Sequence, residues 1–365
     1  MIRILQVFSA MNRGGSETMI MNYYRSIDRS KIQFDFVVHT NKDATYDNEI
    51  ERLGGKIFHM PFFRGYNLFS YQKVWRNFFR SHPEYNIIHV HYYTIAGVIL
   101  PIAKQYKIAV RIIHSHNAKN SIHLLRYLRF YILRPFAIRN ATDRFACGKD
   151  AGLFFFGEKD FIIMKNAIDA ENFKFSSSLR IEIRNNLGLE NKFVVGHIGR
   201  FVPQKNHTFI IDVFKKVSEL TENAMLFLVG DGPLLQEIKD KVRRLVLQDK
   251  VIFAGVRSDI PEILQAIDVL LFPSLFEGLP VTFVEAQAAG IKIVASDIIT
   301  KEINITDLIQ NCSLKEHLTV WANAVNRYAE GYFREDTFKQ IEKAGYDIKS
   351  NAEWLQNFYM NKLNG

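Results

Sequence analysis

The chain has 365 residues, of which 48% are hydrophobic and 23% charged, a composition typical of a globular protein with about two domains. Its net charge of +9 lies in the first half, because residues 1–175 hold 25 Lys and Arg against 14 Asp and Glu, which indicates an anionic partner for that half. The chain has only two cysteines, far apart, which argues against a disulfide scaffold. It has no apolar run long enough to span a membrane and no signal-peptide pattern after Met1. A cytoplasmic location is therefore expected.

Short apolar runs with strand character alternate with amphipathic helical patterns over the first half. The strand patterns lie at 2–8, 33–39, 56–60, 87–91, 109–115, 143–147 and 161–164, and the helical patterns include 16–27, 67–81, 94–106 and 121–140. This alternation predicts βαβ units and a mainly parallel sheet. The pattern breaks at residues 169–178, which are predicted to form a linker.

The alternation resumes after this linker. Further strand patterns lie at 193–198, 225–229, 251–254, 268–272 and 292–295, and three helices without strands are predicted at 315–330, 336–346 and 350–363. The fold class is therefore predicted to be α/β, with one domain over residues 1–169 and a second over residues 170–345. Residues 346–365 are predicted to be a separate C-terminal helix.

Two glutamates eight residues apart, Glu277 and Glu285, follow the strand at 268–272. The spacing predicts that Glu277 ends a loop and that Glu285 lies inside the next helix. The segment Gly278, Leu279, Pro280 and Val281 would form the helix N-terminus. Its backbone N–H groups, which every residue except Pro280 has, would be open there to anions and hydroxyls. A carboxylate accepts hydrogen bonds from a vicinal diol, so Glu285 is a candidate for binding a ribose. The alternative is a solvated glutamate and a helix-capping one.

A second pattern joins a strand to Gly199 and Arg200 and places Lys205 five residues on, before a helix. A guanidinium, an ammonium and a helix N-terminus together suit a diphosphate. The alternative is a pair of solvated cations on a loop. The glycine turn at Gly230, between a strand and a helix, is equally consistent with ligand contact and with a purely structural turn.

Two motifs of the first half follow strands. Asn12–Glu17 contains Gly15, which permits close backbone approach, and Ser16, which is predicted to cap the following helix. His114 and His116 end a strand, where an imidazole can hydrogen-bond a sugar hydroxyl or a phosphate. A structural glycine turn and a structural histidine pair remain the alternatives.

No aspartate lies two residues from another, so the D-x-D metal signature of single-domain sugar-nucleotide transferases is absent. The sequence also shows no Cys/His spacing of a metal site. We therefore expect no metal and no other cofactor, and we expect Arg200, Lys205 and helix N-termini to stabilise any departing diphosphate.

In their order along the chain, the motifs resemble those of family 4 retaining glycosyltransferases, and the resemblance covers nearly the whole chain. The resemblance implies the GT-B fold, with two facing Rossmann-like domains and a last helix that crosses back to the first domain. It implies an acceptor in the first domain and a nucleoside-diphosphate sugar, expected to be a UDP-sugar, in the second. Catalytic roles are implied for His116, Arg200, Lys205 and Glu277. Donor contacts are implied for Gly15, Gly230, Arg257, Gly278, Leu279, Pro280, Val281 and Glu285, with His114 and Ser16 as further candidates.

Residues 11–19 and 295–302 resemble the branch that makes capsules and exopolysaccharides. The implied function is hexosyl transfer to a growing, polyprenol-linked glycan in cell-surface polysaccharide synthesis. A sugar-nucleotide epimerase of the same fold and a non-catalytic subunit of a synthesis complex are the alternatives. Nucleic acid is not an expected partner, because no nucleic-acid-binding motif accompanies the basic half.

Residues 120–142 contain no acidic residue, and their arginines, Arg126, Arg129, Arg134 and Arg139, alternate with apolar and aromatic residues. Pro135 is expected to kink or end this helix. A basic amphipathic helix of this kind suits an anionic membrane surface, so the chain is expected to be peripheral at the inner face of the plasma membrane. The alternative is a core helix with solvated arginines.

Overall fold

The computed structural model describes residues 1–116 and 124–364. Contacts within the chain divide it into two compact units. Unit 1 comprises Met1–Ile168 and Asp347–Gly365, and unit 2 comprises Asp169–Tyr346.

The described strands form two entirely parallel sheets. The sheet of unit 1 has the order β3-β2-β1-β4-β5-β6-β7, with β1 (Ile2–Val7), β2 (Ile32–Val38), β3 (Ile57–His59), β4 (Ile87–Val90), β5 (Val110–Ser115), β6 (Asp143–Ala146) and β7 (Ile162–Ile163). The sheet of unit 2 has the order β10-β9-β8-β11-β12-β13, with β8 (Phe193–Ile198), β9 (Ala224–Val229), β10 (Val251–Phe253), β11 (Val269–Phe272), β12 (Lys292–Ser296) and β13 (Ile309–Cys312).

Helices connect the strands in both units. In unit 1 they are α1 (Gly15–Ser26), α2 (Asp47–Arg52), α3 (Leu68–Ser81), α4 (Tyr93–Gln105), α5 (Leu124–Asn140), α6 (Lys149–Phe156) and α15 (Ile348–Asn364). In unit 2 they are α7 (Ala170–Phe173), α8 (Ser177–Leu187), α9 (His207–Leu220), α10 (Leu235–Arg244), α11 (Ile260–Ala266), α12 (Val281–Ala288), α13 (Leu318–Asn326) and α14 (Phe338–Lys343). Three-residue 3-10 helices lie at Pro203–Lys205, Gln248–Lys250 and Lys301–Ile303.

Burial on both faces explains why the strands have continuous apolar sequences. Every residue of β2 and of β8 is buried, as expected for parallel strands that have helices on both sides. Two apolar clusters lie on the opposite faces of the unit 1 sheet, and α15 contributes Leu355 and Tyr359 to the cluster that contains α1. The salt bridge from Lys362 Nζ to Asp143 Oδ1, at 2.6 Å, also connects α15 to β6.

The structure differs from the local sequence predictions at four places. The predicted linker at 169–178 contains α7 and the start of α8, whose first turn is capped by the Ser176 hydroxyl. Strand β13 was not predicted, because its sequence, Ile-Gln-Asn-Cys, lacks an apolar run. Of the two expectations for Pro135, the end of the helix is wrong, since α5 continues to Asn140. Ser16 is not the N-cap of α1: Gly14 occupies that position, and the Ser16 hydroxyl donates to Glu17 Oε2 at 2.7 Å.

The strand order reverses direction between β1 and β4 in unit 1 and between β8 and β11 in unit 2. In open parallel sheets, ligands bind beyond the carboxyl ends of the strands at such a reversal, because the connecting helices leave in opposite directions there. Arg200 follows β8 and Glu277 follows β11. The topology of unit 2 therefore places the two strongest sequence motifs at its reversal point.

Candidate functional site

The loops after β8 and β11 are hydrogen-bonded to each other at several points. The amide of Leu275 donates to the carbonyl of Gln204 at 2.8 Å, and Asn206 Nδ2 donates to the carbonyl of Pro273 at 3.2 Å. Gln204 Nε2 donates to the carbonyl of Phe276 at 3.0 Å. These bonds hold the Arg200–Lys205 motif and the Glu277 motif together as one structure.

Lys205 and Glu277 form an ion pair at the centre of this structure. Lys205 Nζ lies 2.6 Å from Glu277 Oε1, and Gln204 Nε2 donates to Glu277 Oε2 at 3.1 Å. The ammonium also lies 4.7 Å from the centroid of the Phe272 ring. Gly199 leaves room for the lysine, because a Cβ at that position would lie 3.2 Å from both Cδ and Cε of Lys205.

Arg200 is exposed, and its guanidinium has no hydrogen-bond or ion-pair partner among the residues that the structure describes. It lies in the loop before α9, and the N-terminus of a helix is a place where anions bind. The unpaired guanidinium of Arg200 and the paired ammonium of Lys205 supply two cationic donors for phosphate oxygens.

The glycine turn after β9 is required by packing. Gly230 has φ +135°, and a Cβ there would lie 2.2 Å from the carbonyl oxygen of Gly199. A Cβ at Gly232 would lie 2.5 Å from the carbonyl oxygen of Phe201. This geometry supports the structural alternative for Gly230, whose backbone positions the loop that contains Arg200.

Glu285 lies in α12 and is buried, and no hydrogen bond or ion pair of its side chain occurs among the described residues. Burial raises its pKa from 4.5 to about 7, because the charged carboxylate loses its hydration. The segment before it is also enclosed, since Leu279, Pro280 and Val281 are buried and Gly278 is half-buried. A ligand with hydroxyl donors would stabilise the carboxylate form of Glu285.

Arg257 lies in the loop after β10 and pairs with Asp259, with its Nε 2.8 Å from Oδ1. Its side chain is 39% exposed. At the other sheet, Gly15 is the first residue of α1, and a Cβ there would meet nothing within 4 Å. The space above Gly15 is therefore open at the reversal point of the unit 1 sheet.

Four histidines from β4 and β5 come together in unit 1. His89 and His91 stack with ring centroids 4.2 Å apart, and His114 and His116 stack at 4.1 Å. The two stacks meet edge to edge, with His89 Nε2 3.2 Å from His114 Nδ1 and His91 Nδ1 2.8 Å from His116 Nε2. His89, His91 and His114 are buried, whereas His116 lies at the strand end and is partly exposed.

Burial keeps these imidazoles neutral. It lowers the pKa of His116 to about 3 and places the pKa of His89, His91 and His114 well below the ordinary value of 6.5. His116 is therefore the histidine of this group that can meet a ligand, and the enclosed His114 acts only through its neighbours. Asn117, which follows in the motif, lies outside the described residues.

The sequence shows no Cys/His spacing of a metal site, but the fold brings His89, His91 and His114 together, with ring nitrogens that all lie within 4.8 Å of one another. The sequence conceals this cluster, since its members lie on two strands. Facing ring nitrogens lie at hydrogen-bond distance, 3.2 Å between His89 and His114 and 2.8 Å between His91 and His116, so the described contacts are those of a hydrogen-bond network.

Sequence reasoning missed three polar residues of these sites. Gln204 lies within the Arg200–Lys205 motif and donates to Glu277. Its position directly before Lys205 in the sequence was the one feature that could have indicated this role. Gln6 and Tyr359 both contact the histidines, at positions 353 residues apart, and no sequence spacing relates them.

Residues 13–150 match the family described as Glycosyltransferase Family 4, and residues 180–319 match the family described as Glycosyl transferases group 1. The chain is 36% identical to EpsF of Bacillus subtilis (strain 168), a protein assigned as a glycosyltransferase, over 98% of this chain and 96% of EpsF. It is 24% identical to the capsular polysaccharide biosynthesis glycosyltransferase CapH of Staphylococcus aureus over 99% of both chains.

A partial relative is the UDP-Gal:alpha-D-GlcNAc-diphosphoundecaprenol alpha-1,3-galactosyltransferase of Escherichia coli, 34% identical over 37% of this chain and 36% of that enzyme. Among solved structures, Anabaena HepE in complex with UDP and glucose has a TM-score of 0.80 and 19% identity, covering 99% of this chain and all of HepE. This likeness shows the fold.

Proposed function

Because the chain belongs to glycosyltransferase family 4, we propose that it transfers a hexosyl group from a UDP-sugar to a growing, polyprenol-linked glycan with retention at the anomeric carbon. The chain has the GT-B fold, and its relative CapH is named for capsular polysaccharide biosynthesis. The observation that carries this proposal is the Lys205–Glu277 pair between two hydrogen-bonded loops at the reversal point of the unit 2 sheet. The UDP donor is supported by the name of the partial relative from Escherichia coli.

The donor binds unit 2 in this proposal. Arg200 and Lys205 hold the diphosphate, and Glu285 accepts hydrogen bonds from the ribose hydroxyls. Glu277 and the backbone of residues 278–281 face the sugar. Glu277 also sets the position of Lys205, since the carboxylate holds the ammonium at 2.6 Å before any ligand arrives.

Negative charge grows on the diphosphate as its bond to the sugar breaks, and cationic donors aimed at those oxygens lower the barrier. Arg200 supplies two parallel N–H donors, and Lys205 supplies a point charge. These groups belong to the chain itself, so we propose that transfer requires no metal ion. The bond from the sugar to the diphosphate breaks through an oxocarbenium-like state, an acceptor hydroxyl attacks on the same face, and its proton passes to the leaving diphosphate.

A basic, apolar region of unit 1 supports a membrane-bound acceptor. Residues 60–142 contain twelve Lys and Arg and one acidic residue, Glu84. This segment includes α3, α4 and α5, and α4 packs against both of the others. Such a charge distribution favours an anionic lipid surface.

Helix α5 presents an apolar face to solvent. Its exposed positions are spaced three and four residues apart, and they include Leu128, Tyr131, Ile132 and Phe136, which are 45–63% exposed. Arg139 is exposed on the same helix, whereas Arg129 and Arg134 donate to the carbonyls of Phe63 and Phe155. The side chain of Arg126 lies outside the described part of the chain. We propose that this face contacts the inner leaflet of the plasma membrane; none of the described helices is long and apolar enough to span a bilayer.

A two-step experiment tests the proposal. Thermal shifts with UDP-, GDP- and ADP-sugars identify the donor, because a ligand that binds the folded state raises the Tm. Radiolabelled donor is then supplied with a set of polyprenyl-diphosphate glycans, and the anomeric configuration of the product is read by NMR. Donor interconversion without an acceptor would indicate an epimerase instead, and inversion at the anomeric carbon would contradict retention.

A further inference from the structure

The four histidines of unit 1 belong to a larger buried network that ends on β1 and on α15. His91 Nε2 lies 2.9 Å from Gln6 Oε1, and Gln6 Nε2 donates to the Tyr359 hydroxyl at 3.5 Å. The same hydroxyl lies 2.7 Å from His89 Nδ1. Gln6 and Tyr359 are both fully buried, so water does not supply alternative partners for them.

The proton positions along one arm of this network follow from the chemistry of the amide. Gln6 Oε1 only accepts, so the nitrogen facing it, His91 Nε2, carries a proton. A neutral imidazole has one N–H, which leaves His91 Nδ1 as an acceptor. The nitrogen that faces this acceptor, His116 Nε2, is therefore the protonated one. This leaves the other ring nitrogen of His116, Nδ1, as an acceptor.

We infer that Gln6, acting through His91, selects the tautomer of His116 with a proton on Nε2, so that Nδ1 is an acceptor at the carboxyl end of β5. Gln6 and His91 are positioning residues in this arrangement. If His116 takes part in transfer, a point that rests on the proposed function, its Nδ1 accepts a hydrogen bond from a sugar hydroxyl.

The second arm is compatible with this orientation of the Gln6 amide. Gln6 Nε2 donates to the Tyr359 oxygen, the Tyr359 hydroxyl donates to His89 Nδ1, and His89 Nε2 then donates to His114 Nδ1. Rotation of the amide by 180° would reverse each proton on the first arm and would place a proton on His116 Nδ1. The tautomer of His116 therefore reports the orientation of Gln6.

Long-range ¹H–¹⁵N correlation spectra of the full chain labelled with ¹⁵N-histidine test this inference, because the two nitrogens of each tautomer have distinct shifts. The chain has 11 histidines, and His116→Gln identifies the signals of His116. The wild type should show a single His116 tautomer with a proton on Nε2. Gln6→Leu should give a mixture of both tautomers, since His91 is then free to reverse.

Gln33→Leu is the matched control. Gln33 is a buried glutamine of β2 in the same sheet, and its amide donates to the carbonyl of Leu53 at 2.9 Å, away from the histidines. Its substitution should leave the His116 tautomer unchanged. If Gln6→Leu does not fold, His91→Phe replaces it, because a phenyl ring retains the stacking on Phe8 at 4.3 Å and removes both nitrogens.

A proton on Nδ1 of His116 in the wild type would overturn the inference, as would a wild-type tautomer in Gln6→Leu or His91→Phe. A mixture of His116 tautomers in Gln33→Leu would also overturn the inference, since the tautomer would then depend on general packing.

The rate of transfer separates this inference from the proposed function. Gln6→Leu should lower kcat/KM at least about tenfold; a changed tautomer with an unchanged rate would support the tautomer assignment and contradict a role of His116 in transfer.

Discussion

Lys205 Nζ lies 2.6 Å from Glu277 Oε1, and the two residues come from different loops, 72 positions apart in the chain. Their side chains are 16% and 7% exposed, so this pair is shielded from solvent. The carboxylate thus positions the ammonium in the absence of ligand, and removal of either partner leaves a charge in a poorly solvated place.

Lys205→Ala should lower kcat/KM by about 10²-fold or more, because the variant loses a donor to the leaving diphosphate. Lys241→Ala is the matched control: Lys241 is also 16% exposed and lies 2.6 Å from a carboxylate, that of Asp212. Initial rates at several donor concentrations measure both variants. Equal rates for Lys205→Ala and Lys241→Ala would show that the diphosphate does not bind at Lys205.

Arg200→Ala should show a similar loss of rate with little loss of stability, since Arg200 is exposed.

Donor binding should release protons near neutral pH. Burial places the pKa of Glu285 at about 7, so at pH 7 roughly half of the ligand-free molecules are protonated there. Ribose hydroxyls that donate to Glu285 would lower this pKa and release about half a proton per site. Calorimetric titrations with UDP in buffers of different ionisation enthalpy measure this number. Glu285→Gln should abolish the release and weaken UDP binding; proton uptake by the wild type would contradict the contact.

Glu285 should also make the ligand-free protein less stable at alkaline pH. Folded Glu285 holds its proton up to about pH 7, whereas an unfolded glutamate releases it near pH 4.5. The folded state therefore binds more protons between these values, and the free energy of unfolding falls as the pH rises through this window. Glu285→Gln should be more stable than the wild type at pH 8 by about 3 kcal/mol and similar to it at pH 4. Urea unfolding at both pH values measures the difference.

Transfer should continue in EDTA. The expectation rests on the absence of a D-x-D motif and on the cationic donors Arg200 and Lys205. Rates in EDTA and in Mg²⁺ or Mn²⁺ should agree within about twofold if those donors are the main stabilisation of the leaving group. Loss of turnover in EDTA that Mg²⁺ or Mn²⁺ restores would show that a metal ion is required.

Binding to anionic vesicles should depend on the exposed face of α5. Ile132→Ser should weaken co-sedimentation with vesicles that contain phosphatidylglycerol, because the side chain is 63% exposed and its burial in the interface is lost. Ile181→Ser on α8 is the control, since Ile181 is also 63% exposed but lies in unit 2. Arg139→Glu should weaken binding at low salt only. Equal binding of both isoleucine variants would exclude α5 as the contact.

Gly230→Ala should destabilise the protein by more than Gly255→Ala does. Both glycines have positive φ, +135° and +67°, but a Cβ at Gly230 would meet the carbonyl of Gly199 at 2.2 Å and a Cβ at Gly255 would meet nothing within 4 Å. We expect a loss of about 1 kcal/mol for Gly255→Ala from backbone strain and about 3 kcal/mol for Gly230→Ala. Urea unfolding measures both, and equal losses would show that the loop at Gly199 moves freely.

Sequence patterns alone were sufficient to predict the parallel α/β fold, because parallel strands buried on both faces leave continuous apolar runs separated by amphipathic helices. They also predicted Glu285 inside a helix and Glu277 in the loop before it, since both lie within one strand-loop-helix segment. Local information of this kind is contained in a few consecutive residues. Local sequence information did not predict β13, which has no apolar run, and it predicted the wrong N-cap for α1, Ser16 instead of Gly14.

The partners of the site residues depend on the tertiary structure. Lys205 meets Glu277 because β8 and β11 are neighbours in space, and His116 is tied to Gln6 because β1, β4 and β5 are adjacent in the sheet. Whether a histidine or a glutamate is charged depends on the solvent that the fold excludes, as the neutral histidines and the raised pKa of Glu285 show. Hydrogen bonds and desolvation act over a few ångströms in space, and a sequence does not specify which distant residues come within that range until the chain has folded.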